Sequence, residues 1–232
     1  MLRVGLTGEL GSGKSTVAQM LAAHGAVVLS SDEMGRAMMQ PGQPVFAQIV
    51  ESFGPGILNT DGTLNRHALA HLAFDPNNPR IEELNAIIHP AVIAAQAEKV
   101  AEIARAQPHA IIVVESALIF STKHTPQGGW RSRFDCILLV TAPDDLKIDR
   151  FIQRATPGDA PGSASTDHLR HDARRRLEAQ RATIPADIPS YTLENDGSLV
   201  DLKKRVEALW EQLVEMERGR QRTSRSGRTT TH

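Results

Sequence analysis

Apolar residues follow two rhythms along this chain. Short, nearly unbroken apolar runs stand at residues 3–7, 27–29, 110–114, 136–141 and 191–193. Runs of that length without polar alternation are the pattern of parallel strands covered on both faces. Between them the apolar positions recur three and four residues apart. Residues 17–22 read as a helix that Gly25 closes. Residues 80–89 place Ile81, Leu84, Ile87 and Ile88 along one side, and Pro90 is expected to interrupt that helix. A final helix carries the stripe Leu202, Val206, Leu209 and Leu213, with Ser198 as its cap and Asp201 three residues on. Strands alternating with helices in this way predict an α/β fold with a parallel sheet.

Three stretches depart from that alternation. Residues 33–90 hold several helical pieces and no clear strand, which predicts a small helical insertion after the second strand. Residues 156–165 are rich in Pro, Gly and Ser and separate two Arg-bearing helices, the composition of a mobile loop. Residues 219–232 are nearly devoid of apolar side chains and carry Arg220, Arg222, Arg225 and Arg228, so a disordered basic tail is expected. The expected organisation is one domain over 1–218. Its core is 1–32, 91–150 and 184–218, its insertion 33–90 and its lid 151–183.

Composition narrows the classes. A chain of 232 residues can bury one good core with excursions, and 41% hydrophobic with 23% charged residues is ordinary for a globular protein. A net charge of -1 gives no broad attraction to nucleic acid or membrane. Cys136 is the only cysteine and lies inside an apolar run, so it is expected as a buried strand residue. No run approaches the length of a membrane span and no signal peptide is visible, so a cytoplasmic protein is expected.

The chemistry begins between the first strand and the first helix. Gly8-Glu9-Leu10-Gly11-Ser12-Gly13-Lys14-Ser15-Thr16 fits the phosphate-loop pattern G-x-x-x-x-G-K-[ST]. A strand, a glycine loop and a helix N-terminus aim several N–H groups at one point, where the helix dipole also favours anions. Gly11, Ser12, Gly13 and Thr16 belong to that cradle. Lys14 is placed to reach the β- and γ-phosphates and the Ser15 hydroxyl to hold Mg²⁺, which makes the ligand a nucleoside triphosphate.

Acceptor chemistry is sought at the other strand ends, where ligands of parallel sheets collect. Asp32 follows the second strand and suits a base that takes a proton from an attacking hydroxyl; it also suits a cap for the helix starting near Glu33. Glu115 closes the third strand and can orient water on Mg²⁺ or be a strand-end acid without that duty. Arg150 and Arg154 share one helix face, and Arg174, Arg175 and Arg176 lie across the Pro/Gly-rich loop. They suit either a charge-neutralising lid or a solvated basic face. His67 and His71 are four apart with no third ligand in view, so no metal site is expected there. Asp159 to Gly162 spells D-x-x-G away from any strand end, and no N-K-x-D occurs, which disfavours a GTPase switch.

Taken in order, these motifs resemble the dephospho-coenzyme A kinase family from about residue 2 to 215. The resemblance rests on Gly5-Leu6-Thr7-Gly8 running into Gly11-Ser12-Gly13-Lys14-Ser15-Thr16, on Asp32 and Arg36, and on Leu84-Asn85-Ala86-Ile87-Ile88-His89-Pro90. It continues through Leu118-Ile119-Phe120, Phe134-Asp135, Arg150 and Arg154, Arg176 and Gln180, and Asn195-Asp196-Gly197. The chain departs from the family at Ser30 and Ser121, where acids are usual.

The resemblance implies a P-loop core with a five-stranded parallel sheet, a helical acceptor-binding subdomain and a lid. It implies transfer of the ATP γ-phosphate to the ribose 3′-hydroxyl of dephospho-coenzyme A with Mg²⁺, in a monomer or weak homo-oligomer. Catalysis would fall to Asp32, Lys14 and Arg150. Arg36, His89, Leu118, Phe120 and Arg176 would lie along the acceptor, and Arg154, Asn195 and Gly197 along ATP. The alternatives are another kinase of the nucleoside monophosphate type and a non-enzymatic nucleotide switch.

Overall fold

The computed structural model describes residues 1–120, 129–156, 164–181, 185 and 190–226. Five strands form one parallel sheet: β1 (Leu2–Gly8), β2 (Val27–Ser30), β3 (Ile111–Glu115), β4 (Cys136–Thr141) and β5 (Ser190–Glu194), in the order β2-β3-β1-β4-β5. All five apolar runs are strands, and β1 sits in the middle with its registers to β3 and β4 both parallel. Strand β4 in turn pairs with β5.

One face of this sheet is covered by α1 (Lys14–Ala23) and α8 (Leu199–Ser226). Leu2, Val4 and Leu6 of β1 pack there with Val17 and Leu21 of α1 and with the stripe Leu202, Val206, Leu209 and Leu213 of α8, all buried. Each such side chain contributes roughly 1.5–3 kcal/mol by leaving water. Helix α1 ends in a Schellman motif: the Gly25 N–H donates to Ala22 and the Ala26 N–H to Leu21, with Gly25 at φ 109. Ser198 caps α8 as the sequence predicts; its Oγ accepts from the Asp201 N–H at 3.2 Å while the Asp201 carboxylate accepts from the Ser198 hydroxyl at 2.6 Å.

The basic tail needs correcting. Helix α8 runs on to Ser226, so residues 219–226 are helical. Arg220 reaches Asp135 at 3.2 Å, and Gln221 hydrogen-bonds Glu217 one turn earlier. Residues 227–232 lie outside the described residues, as do residues 157–163 of the Pro/Gly-rich loop.

Asp135 is the electrostatic anchor of this region. The Arg3 fork engages both its oxygens, at 3.3 Å and 3.0 Å, and the Arg3 N–H adds a bond of 2.8 Å. Burial would raise this carboxyl, but the Arg3 hydrogen bonds and charge, with Arg220 behind them, hold it below its ordinary value. A depressed acid stabilises the fold above its unfolded pKa and loses that contribution as pH falls through the folded one. Asp135→Asn is therefore expected to cost about 1–3 kcal/mol at pH 7 and to flatten the acid limb below about pH 4. Urea midpoints measured from pH 7 to pH 3 check both. Next to it, burial first and the Asp135 charge second push the buried Cys136 thiol up to about 11.

The contacts divide the chain into two compact units, the second of which includes residues 30–102. This unit holds α2 (Ser31–Met38), α3 (Pro44–Phe53), α4 (Arg66–Ala73) and most of α5 (Ile81–Ala106). Its core is Val45, Ile49, Phe53, Ile57 and Leu69, with Leu84, Ile87 and Ile88 packed against it. The interruption expected at Pro90 does not occur: α5 continues through it for the rest of its 26 residues. The division drawn between 90 and 91 thus falls inside one helix. Proline deletes one helical hydrogen bond at a cost of about 3 kcal/mol. Packing outweighs that, because Ile87, Ile88 and Ala91 join the helical core and Val92 and Ile93 are also buried.

Candidate active site

The loop between β1 and α1 is shaped by its glycines and by what surrounds them. Gly11 has φ 73 and Gly13, the N-cap of α1, has φ 95. A Cβ on Gly11 would stand 2.1 Å from the Lys147 carbonyl oxygen, and one on Gly13 would stand 2.2 Å from Asn195 Nδ2. Positive φ and a backbone obstacle together exclude a side chain at Gly11. Gly11→Ala is expected to destabilise the protein by at least ~1–3 kcal/mol and to weaken nucleotide binding, measured by thermal melts and nucleotide titration.

The Lys14 ammonium donates to the Glu9 carbonyl at 3.2 Å, so the long side chain folds back along its own loop. The Ser15 hydroxyl donates to Glu115 Oε1 at 2.7 Å. The two predicted metal ligands therefore stand side by side, and this hard oxygen pair has the donor chemistry Mg²⁺ takes.

Gly11, Gly13, Thr16, Arg150, Arg154, Asn195 and Gly197, predicted from separate parts of the chain, line one cavity of about 370 Å³. Leu199 and Leu202 of α8 give it an apolar side. Helix α6 (Asp144–Ala155) supplies the two arginines. Arg150 Nη2 donates to the Asn195 carbonyl at 3.1 Å and to its Oδ1 at 3.3 Å. Its Nη1 is buried with no partner among the described residues. Burial first, then the charge of Arg154, lowers the Arg150 pKa from its ordinary value, yet guanidinium stays protonated. An unused donor on a charged group, with a second arginine one turn away, is a site prepared for an anion.

Asn195 lies just past β5 and is buried. Its side-chain amide donates to the Ser12 carbonyl at 2.8 Å, and its N–H donates to the Thr141 carbonyl at 2.7 Å. Its polar atoms tie the end of β5 to the glycine loop and to Arg150.

The remaining predicted residues lie elsewhere. Ser30, where the family usually has an acid, caps α2 by accepting the Glu33 N–H at 3.4 Å. Capping is thus the work of Ser30, and Asp32 stands exposed in the first turn with no hydrogen-bond or ion-pair partner among the described residues. Ser31 is pinned to α5 by Gln96 at 2.8 Å. Arg36 is exposed on α2 and His89 sits in mid-α5 beside Pro90. Leu118 is exposed after β3, while Phe120 meets Trp130 edge to face at 5.2 Å. On α7 (Ala164–Arg181), Arg176 pairs with Asp172 at 2.8 Å and lies 5.7 Å from the Phe151 ring. Ser121 is outside the described residues.

Sequence reasoning missed one group. Glu9 and Lys147 are both buried and form an ion pair; Asp144 joins Lys147 at 2.8 Å, and Arg181 reaches Glu9 at 3.1 Å and Asp144 at 2.8 Å. The available signal was a lysine beside Ile148 on the buried side of α6. A charge there needs a partner, and the sequence does not say which.

Residues 2–201 match the family described as dephospho-CoA kinase. The chain belongs to the dephospho-CoA kinase family. It is 37% identical over 212 residues to the dephospho-CoA kinase of Corynebacterium jeikeium, covering 90% of this chain and 98% of that one. It is 33% identical over 213 residues to that of Moorella thermoacetica, covering 92% of each. Among solved structures, a Thermus thermophilus protein is 29% identical with a TM-score of 0.63, covering 91% of this chain and 97% of that one. The Campylobacter jejuni dephospho-CoA kinase shares the fold at 17% identity and a TM-score of 0.61, covering 92% and 97%. Among the described residues no helix is long and apolar enough to cross a membrane.

Proposed function

We propose that this member of the dephospho-CoA kinase family transfers the ATP γ-phosphate to the ribose 3′-hydroxyl of dephospho-coenzyme A, releasing coenzyme A and ADP in the cytoplasm. The observation that carries the reading is the single cavity shared by the loop glycines, the two α6 arginines and the turn after β5, in a chain of this family. Its apolar side, Leu199 and Leu202, suits the adenine of ATP, and its glycine and arginine end suits the phosphates.

In this reading the loop N–H groups and Lys14 hold the β- and γ-phosphates, and Arg150 Nη1 donates to the charge that builds during transfer. Asp32 accepts the proton of the 3′-hydroxyl as its oxygen attacks the γ-phosphorus, and the bond to the β–γ bridging oxygen breaks. Ser15 and Glu115 are the residues that would hold Mg²⁺; when bound, the ion neutralises negative charge on the phosphates. The Ser15 proton already points at Glu115, which leaves the hydroxyl lone pairs open. Arg36, His89, Leu118, Phe120 and Arg176 are assigned to the acceptor side.

An acceptor panel tests the proposal. ADP release is expected with dephospho-coenzyme A, and nuclear magnetic resonance of the product should place the new phosphate on the 3′-oxygen. Activity on a nucleoside monophosphate with none on dephospho-coenzyme A would replace this reading with the other kinase class.

A further inference from the structure

The residues at the variable places of the phosphate loop make contacts that the transfer chemistry does not call for. Glu9 is 8% exposed, and its carboxylate sits between the fully buried Lys147 ammonium and Arg181 Nε, the latter at 3.1 Å. Leu10 packs against the cluster formed by Ile148 and Ile152 of α6 with Ala173 and Leu177 of α7. The Leu10 N–H donates to Gln180 Oε1 at 2.7 Å. Arg181 closes the arrangement by also holding Asp144, at 2.8 Å, at the start of α6. The last turn of α7 therefore grips the loop by one backbone donor, one carboxylate and one apolar side chain.

Glu9 connects this grip to the phosphate end. Its carbonyl accepts both the Lys14 ammonium and the Ser12 N–H, each at 3.2 Å, while its side chain is committed to α6 and α7. A peptide held at both ends transmits displacement. Loosening the side chain frees the carbonyl on which Lys14 and the Ser12 N–H are aligned.

We propose that Glu9, Arg181 and Gln180 are positioning residues for the nucleotide's phosphates: the C-terminal turn of α7 fixes the outer wall of the loop, and its release lowers affinity for the β- and γ-phosphates. This rests on the reading of the loop as an ATP site. Arg181 is the point to cut. It is half exposed, and Lys147 continues to neutralise Glu9 when it is gone, so no buried charge is orphaned.

The test is titration of the full chain with a fluorescent ATP analogue, displaced by ATP, ADP or adenosine, alongside thermal melts. Arg181→Ala and Gln180→Ala are each expected to weaken ATP and ADP on the order of tenfold and adenosine less than twofold. Arg181→Lys, which keeps the charge, is expected to recover part of the loss. Glu9→Gln and Arg181→Ala together are expected to weaken ATP by less than the product of their separate effects, since they share the Arg181–Glu9 contact while Glu9→Gln also gives up the Lys147 pair. ATP affinity within twofold of wild type in Arg181→Ala, at whatever melting temperature, overturns the proposal; so does an equal loss for adenosine. A wild-type chain inactive on dephospho-coenzyme A but showing the Arg181 effect on ATP would sink the proposed reaction and support this assignment.

Discussion

Lys14→Ala is expected to lower kcat by about 10²–10³-fold, in the range observed when one preorganised donor to a developing charge is removed. The ammonium donates to the Glu9 carbonyl, a group that also accepts the Ser12 N–H. Loss of the side chain therefore leaves the Glu9 carbonyl still paired with the Ser12 N–H. In the proposed reaction the ammonium meets more negative charge in the transition state than in bound ATP, so the deficit falls mainly on kcat and less on KM. Steady-state kinetics with varied ATP check the split. An unchanged kcat would remove Lys14 from the mechanism.

Asp32→Asn is expected to slow transfer by about 10²–10⁴-fold, the usual contribution of a positioned general base. ATP affinity is expected to stay near wild type, because Asp32 belongs to the acceptor side. Its stability should also hold within about 0.5 kcal/mol, since the side chain is exposed and makes no bond among the described residues. The adjacent cap supplies the contrast. Ser30→Ala removes the acceptor of the Glu33 N–H and is expected to cost about 0.5–2 kcal/mol of stability with transfer far less affected. Rates and urea midpoints on the two variants separate the two roles. A near-normal rate in Asp32→Asn would leave the reaction without its base.

Strands β1, β3 and β4 were legible because each is a short apolar run buried on both faces, where no alternation is needed, whereas β2 is only half-buried and β5 leaves Thr192 and Glu194 exposed. The ends of α8 and α1 were equally legible: Ser198 with Asp201, and Gly25, are local signals that act within a few residues. Pro90 misled because its penalty is local while the compensation is not; nothing near it in sequence announces that Ile88 and Ala91 pack against the helical core that α3 and α4 help to build. Residues 219–226 misled in a related way, since polar composition hid the partner of Arg220, which is Asp135 in another element.

The site divides along the same line. Gly11, Gly13, Lys14, Ser15 and Thr16 announce themselves as a motif, and Glu115 beside Ser15 follows from strand position. The roles of Glu9, Lys147 and Arg181 could not be read, because a buried charge reveals that it needs a counter-ion but not where in the chain that ion lies. Asp32 was open between base and cap on sequence alone. The bond from the Glu33 N–H to Ser30 settles who caps the helix.

The amide of Asn195 on the Ser12 carbonyl joins residues 183 positions apart. During synthesis the glycine-rich segment emerges early, yet the clasp that finishes it is made only after the ribosome has passed β5. A nascent chain halted before that point has the motif without its closing bond or Arg150's partner. Nucleotide binding therefore stabilises the completed site rather than the isolated motif.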